Sequence, residues 1–249
     1  MAGFGNGTDI HAILPVYHSG TSISTAGPPV VGQLVLTVTP EFGHPLQLFD
    51  AERADQNRHA AVGGEIRPID PSKDFRPKNR LPILRLKLGE CEELLAVRAK
   101  ARRCVVLAVA DGIPDNHLPV GERNKARNAF QRPSYLVAPA YSVSTPAEPR
   151  AMTVTIAARA ECLVYPQLVF LPRSGGIIQQ DSVVRLDRAF WTTLSPPSQL
   201  YAAALSDIRM SILQGQLQVL RGEEPGKEYL EMVELLRGEL AEAHAQHLP

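Results

Sequence analysis

Two adjacent arginines, Arg102 and Arg103, open the run Cys104-Val105-Val106-Leu107-Ala108, so a β-branched strand begins with two guanidinium groups. A guanidinium fork matches two phosphate oxygens and stays charged when partly desolvated. Further along, Tyr135-Leu136-Val137-Ala138-Pro139-Ala140-Tyr141 ends at Ser142, with Ser144 and Thr145 close behind. A serine hydroxyl can donate to a phosphate or orient an attacking group. Between these two runs lies a basic stretch containing Arg123, Lys125, Arg127, Phe130 and Arg132. Such a stretch can grip phosphates while Phe130 stacks on an unpaired base. Each feature has a plainer alternative. Arg102 and Arg103 also read as the solvated end of a strand, Ser142 as a turn residue before Pro146, and Phe130 as a core residue under a solvated loop.

The elements that must position these residues are mostly short strands. Gln33–Thr39 alternates with period two between Gly32 and Pro40, and Leu84, Leu86 and Leu88 alternate with Arg85 and Lys87. Further strands are predicted at 93–97, 104–109, 135–140, 152–157, 167–171 and 182–186. Met152, Val154 and Ile156 in the fourth of these alternate with Thr153 and Thr155. So many short strands predict a compact barrel or sandwich. After Ser195-Pro196-Pro197-Ser198, the apolar Leu205, Ile208, Ile212, Val219 and Leu220 recur at helical spacing up to Gly222. A second amphipathic helix follows Pro225-Gly226, with Leu230, Val233, Leu236 and Leu240 on one face. It belongs to a stretch that carries seven glutamates from Glu223 to Glu242.

Residues 1–31, rich in Gly, Ser, Thr and Pro, are predicted to form a flexible leader, and residues 32–80 an extended connection with one strand. The barrel is expected over residues 81–195 and the helices over 196–249. Lys+Arg and Asp+Glu both number 26, so nucleic-acid binding would have to rest on local patches. Cys91, Cys104 and Cys162 are widely spaced and odd in number, which argues against a disulfide framework or zinc site and predicts a reducing, cytoplasmic setting. The seven histidines lack metal-ligand spacing, so no metal or cofactor is expected. No apolar run approaches the roughly 20 residues that span a bilayer, and no secretory leader is evident, so no membrane partner is expected.

The order and spacing of three segments, Arg102–Ala108, Tyr135–Ser142 and Ser182-Val183-Val184-Arg185-Leu186-Asp187, resemble the PemK/MazF toxins over about residues 81–220. The resemblance implies a mainly β, SH3-like barrel that cleaves single-stranded RNA without a metal, works as a homodimer, and pairs with an antitoxin protein. Cleavage by RNA's own 2′-hydroxyl needs a base for that proton, a cation for the charge developing on phosphorus, and a donor to the leaving oxygen. The resemblance assigns the phosphate clamp to Arg103, with Arg102 beside it, an accessory role to Ser142, and proton transfer to Asp187 next to Arg188. The chain departs from the family at Cys104, where a proline is usual, at Ala108, where a serine is usual, and at Phe190, where an arginine is expected.

Those departures leave two other readings open. The barrel can be a nucleic-acid- or protein-binding adaptor without catalysis, or the chain can serve in assembly, docking through its Pro-rich N-terminal part. The Asp187-Arg188 pair also reads as a surface ion pair ending a strand, worth about 0–1 kcal/mol. The acidic segment from Glu223 to Glu242 reads either as a solvated or dimer-forming helix, or as a restraint on a basic groove.

Overall fold

The computed structural model describes residues 15–18, 23–41, 43–53, 55, 57–58, 60–77, 86–89, 91–117, 132–174, 176–194 and 198–245. Its contacts divide the chain into two units. One comprises Met1–Thr37 with Ala101–Pro249, the other Val38–Lys100.

The larger unit is built on a sheet ordered β10-β1-β5-β6-β8-β7, with β9 also paired to β6. The strands are β1 (Gln33–Pro40), β5 (Ala99–Ala110), β6 (Ser134–Ser142), β7 (Leu168–Leu171), β8 (Ser182–Arg185), β9 (Phe190–Thr192) and β10 (Gln199–Ala204). Strands β1 and β5 run on into the smaller unit. The ladders β5–β6, β6–β8, β7–β8, β6–β9 and β1–β10 are antiparallel. The mainly β character agrees with the strand pattern of the sequence. The barrel does not: the path ends at β10 and β7, and no ladder among the described residues closes it.

Period-two alternation sends successive residues to opposite faces. On one face Val105, Ala138, Val184, Leu34 and Leu205 form a core with Leu213 of helix α2 (Asp207–Leu220). On the other, Cys104, Val106, Tyr135 and Val137 pack with Val35, and Val183 with Phe170, Ala157 and Ala160. The last two belong to helix α1 (Val154–Glu161). A bulge between Val106 and Ala108 shifts the β5–β6 register.

Four sequence expectations are corrected here. The alternating run 152–157 is not a strand. Thr153 Oγ1 accepts the Ile156 N–H at 3.3 Å, and the following Ala157-Ala158-Arg159-Ala160-Glu161 continues as helix α1. Gln199–Ala204 is strand β10, and helix α2 starts only after Ser206, whose hydroxyl caps the Arg209 N–H at 3.4 Å. Residues 86–89 form no strand, with Lys87 at φ 48; Leu84 lies outside the described residues. Residues 15–18 of the expected leader are anchored: Val16 is buried, Tyr17 bridges to Leu205, and the Ser206 N–H donates to Val16 O at 2.9 Å.

Helix α3 (Lys227–Ala245) pairs with α2. A Schellman-like end closes α2: Gly222 has φ 74, and the Glu223 N–H reaches Gln218 O at 2.9 Å. Gly215 meets Tyr229 so closely that a Cβ there would lie 2.5 Å from the tyrosine Cβ and Cγ. Tyr229 and Leu236 are buried with Ile212, Cys162 and Leu163, whereas Leu230, expected on the apolar face, is exposed. Among the described residues, no helix is long and apolar enough to cross a membrane.

The smaller unit holds a second sheet, β3-β2-β4, from β2 (Gln47–Arg53), β3 (Val62–Pro68) and β4 (Leu94–Ala96). The segment expected to be an extended connection is thus largely a β2–β3 hairpin paired from Gln47↔Pro68 to Arg53↔Val62. Gly64 sits opposite Ala51 at φ 151, where a Cβ would lie 2.2 Å from Asp50 O. Arg67 holds the hairpin to its following loop, donating to Asp74 at 2.7 and 2.9 Å and to Asp50 at 2.8 Å.

Candidate functional site

The alternation of β5 sends its two arginines to opposite faces. Arg102 lies on the side of Cys104, with its guanidinium 4.3 Å from the centroid of the Tyr141 ring. Arg103 lies on the side of Val105, with its guanidinium 5.9 Å from the Tyr201 ring. The register explains the first stack: Cys104 pairs with Pro139, so Arg102, two residues earlier, stands beside Tyr141, two residues later.

Tyr141 carries a second cation. Arg185 on β8 approaches the same ring at 5.9 Å. The β6–β8 ladder pairs Tyr141 with Val183, so alternation brings Arg185 to the Tyr141 face. A ring face carries negative quadrupole potential and attracts guanidinium groups. That attraction offsets part of the repulsion between Arg102 and Arg185.

Beyond Arg185 the chain leaves the ladder for a 3₁₀ turn, Leu186–Arg188, and rejoins β6 as β9 at Phe190↔Val137. The excursion passes residues 138 and 139 of β6, and Pro139 lacks a backbone donor. Leu186 enters the core. Asp187 turns back onto Arg185, accepting from Nε at 3.0 Å and from Nη2. This hydrogen bonding raises the Arg185 pKa above its ordinary value, against the opposing effect of desolvation. Arg188 Nε lies 4.0 Å from the same carboxylate. The cluster therefore places Arg185 and Arg188 near one carboxylate, with Arg102 on the ring that Arg185 also approaches. Its arginines are part-exposed and Asp187 is exposed.

The residues singled out from sequence separate into two groups. Arg103 and Ser142 share a face: Ala140 pairs with Val184 in the core under α2, and Ser142 follows two residues later on the same side. Arg103 Nε is buried without a hydrogen-bond partner among the described residues. Asp187 is committed to Arg185 on the other face, so Arg103 and Asp187 do not converge. Arg132 is exposed just before β6. Arg123, Lys125, Arg127 and Phe130 lie outside the described residues.

Tyr141, Arg185 and Trp191 were not singled out in sequence. The signal for the first two was period-two spacing: Tyr141 is two residues beyond Pro139, and Arg185 two beyond Val183 on a neighbouring strand. Trp191, the sole tryptophan, sits opposite Leu136 and is 54% exposed. Among the described residues no group of three or more His, Cys, Asp and Glu side chains is placed to hold a metal. No family model, curated protein or solved structure matches this chain.

Proposed function

We propose that the protein binds single-stranded RNA where the start of β5 meets the end of β6, as an adaptor rather than as a nuclease. The observation that carries this reading is the pair of guanidinium groups, Arg102 and Arg185, on the one ring of Tyr141. Guanidinium planes and aromatic rings stack unpaired bases, and clustered cations attract the phosphates between them. Arg188 extends the positive charge, and Asp187 orients Arg185. The neutral balance of the whole chain is compatible with this, because the field that matters is local. The test is fluorescence anisotropy with a labelled oligouridylate across a salt series. Binding that steepens with falling salt and weakens on Arg102→Ala supports the reading; salt-insensitive binding unaffected by the substitution refutes it.

A second reading, metal-independent RNA cleavage of the PemK/MazF type, is favoured by one observation. Arg103 has an unpartnered Nε on the face it shares with Ser142. In that reading the sheet is the counterpart of an SH3-like barrel, Arg103 clamps the scissile phosphate, Ser142 assists, and a homodimer and an antitoxin complete the system. The engagement of Asp187 with Arg185 on the opposite face counts against its role in proton transfer. Incubation with long single-stranded RNA in EDTA, beside Arg103→Ala, separates the readings. Discrete cuts lost in the variant establish the nuclease; binding without cuts establishes the adaptor.

A further inference from the structure

Helices α2 and α3 line a groove of about 620 Å³, away from the arginine cluster in sequence and composed of different residues. Its apolar residues are Ile208 and Ile212 on α2, and Met232 and Leu235 on α3. The first two are spaced i,i+4 and the second two i,i+3, so each pair shares one side of its helix, with Ile212 buried beneath the more open Ile208, Met232 and Leu235. Ile208 and Leu235 are 38% and 57% exposed. Exposed apolar side chains flanked by charged ones supply the anchors that helix-in-groove docking uses.

The rim is acidic. Asp207, Glu228 and Glu231 border the groove, with the side chains of Asp207 and Glu231 exposed at 98% and 63%. Glu228 accepts a hydrogen bond from Ser211, Lys227 reaches Glu231 at 3.1 Å, and His18 lies 3.4 Å from Asp207. Three carboxylates against Lys227 and His18 leave the rim with an excess of negative charge.

We propose that this groove docks a lysine- or arginine-bearing amphipathic helix of a partner protein. The apolar lining fits the helix-in-groove mode, in which residues at i, i+3 or i+4 and i+7 anchor one helix on a neighbouring pair. The acidic rim selects the charge: basic residues flanking the anchors meet Asp207, Glu228 and Glu231. A second copy of this chain is the wrong partner, because an isologous contact would set one acidic rim against the other. Nucleic acid is repelled for the same electrostatic reason.

The experiment uses the full chain and a synthetic Leu/Lys amphipathic helical peptide, with a Leu/Glu peptide of the same apolar pattern as its counterpart. Calorimetry should show saturable binding of the Leu/Lys peptide that weakens with salt, and no binding of the Leu/Glu peptide. Leu235→Glu and Ile208→Glu should each weaken binding by about tenfold or more, as for a central anchor. Leu230→Glu, an exposed leucine on α3 outside the groove lining, should leave it unchanged. Circular dichroism of each variant verifies that the helices persist. Equal binding of both peptides, or equal losses in the Leu230 and Leu235 variants, would overturn the proposal. So would concentration-dependent dimerisation abolished by Leu235→Glu, which would assign the groove to a second copy.

Discussion

Arg102 and Arg103 are neighbours in sequence but meet different aromatic rings, because a strand turns each successive side chain to the other face. Arg102 lies over the Tyr141 ring, and replacing it by alanine removes the closer of the two cations there. If Arg102 holds one phosphate, the slope of log K against log salt for single-stranded RNA should decrease by about 0.7 in the Arg102→Ala variant. Tyr141→Phe keeps the ring face and should retain binding. Tyr141→Ala should weaken it, since the support under both guanidinium groups is lost, at about 0.5–1 kcal/mol for each exposed cation–π contact. Weakening by the phenylalanine variant equal to that by alanine would show that the hydroxyl, not the ring, matters. Arg103→Ala, on the other face, should change RNA cleavage in EDTA only if the second reading holds.

At the scale of elements, the helical hairpin offers the sharpest stability test. Gly215 allows α2 to approach the Tyr229 side chain, and a methyl group there would collide at 2.5 Å. Although alanine is the better helix former, Gly215→Ala should destabilise the protein by about 1–3 kcal/mol, the usual cost of overpacking. Denaturant unfolding measures this. Stabilisation by the substitution would mean that the hairpin is looser than described. The elements also show what sequence could and could not reveal. Strands buried on both faces, such as β5 and β6, were legible because the consecutive apolar Val105, Val106, Val137 and Ala138 fill both layers of the core. The run 152–157 was misread because its Thr/aliphatic alternation is satisfied locally, while the decisive interaction, the Thr153 cap, competes with strand formation. The β2–β3 hairpin was hidden because much of its pairing carries charged or glycine residues, and Arg67 with Asp50 and Asp74 supplies side-chain links where apolar alternation is weak. Strand β10 was read into the helix because Pro196-Pro197 signalled a helix start before the apolar spacing of Leu205, Ile208 and Ile212, yet pairing with β1 prevails.

At the scale of the molecule, buried phenols tie stability to alkaline pH. Burial raises the Tyr17 pKa well above its ordinary value of 10.0, outweighing its hydrogen bond with Ser174 and the positive charge of Arg209, and desolvation raises Tyr135 and Tyr229 in the same direction. The neutral phenol is favoured in the folded chain, so its contribution is intact below about pH 10 and is lost as pH rises through the folded value. Stability measured stepwise above that pH should fall more steeply in the native chain than in Tyr17→Phe; identical slopes would contradict burial of the phenol. The candidate site was legible only in part for a related reason. Sequence spacing pointed to the two arginines, but which of them shares a face with Ser142, Tyr141 or Asp187 depends on register and on the turn at Leu186–Arg188. The central claim is that the Tyr141 face of this sheet is an RNA platform. Its most direct measurement is the anisotropy titration of labelled oligouridylate with the native chain and the Arg102→Ala, Arg185→Ala and Tyr141→Ala variants. The account expects salt-dependent binding weakened in all three; binding unchanged in all three, or absent from the native chain, would contradict it.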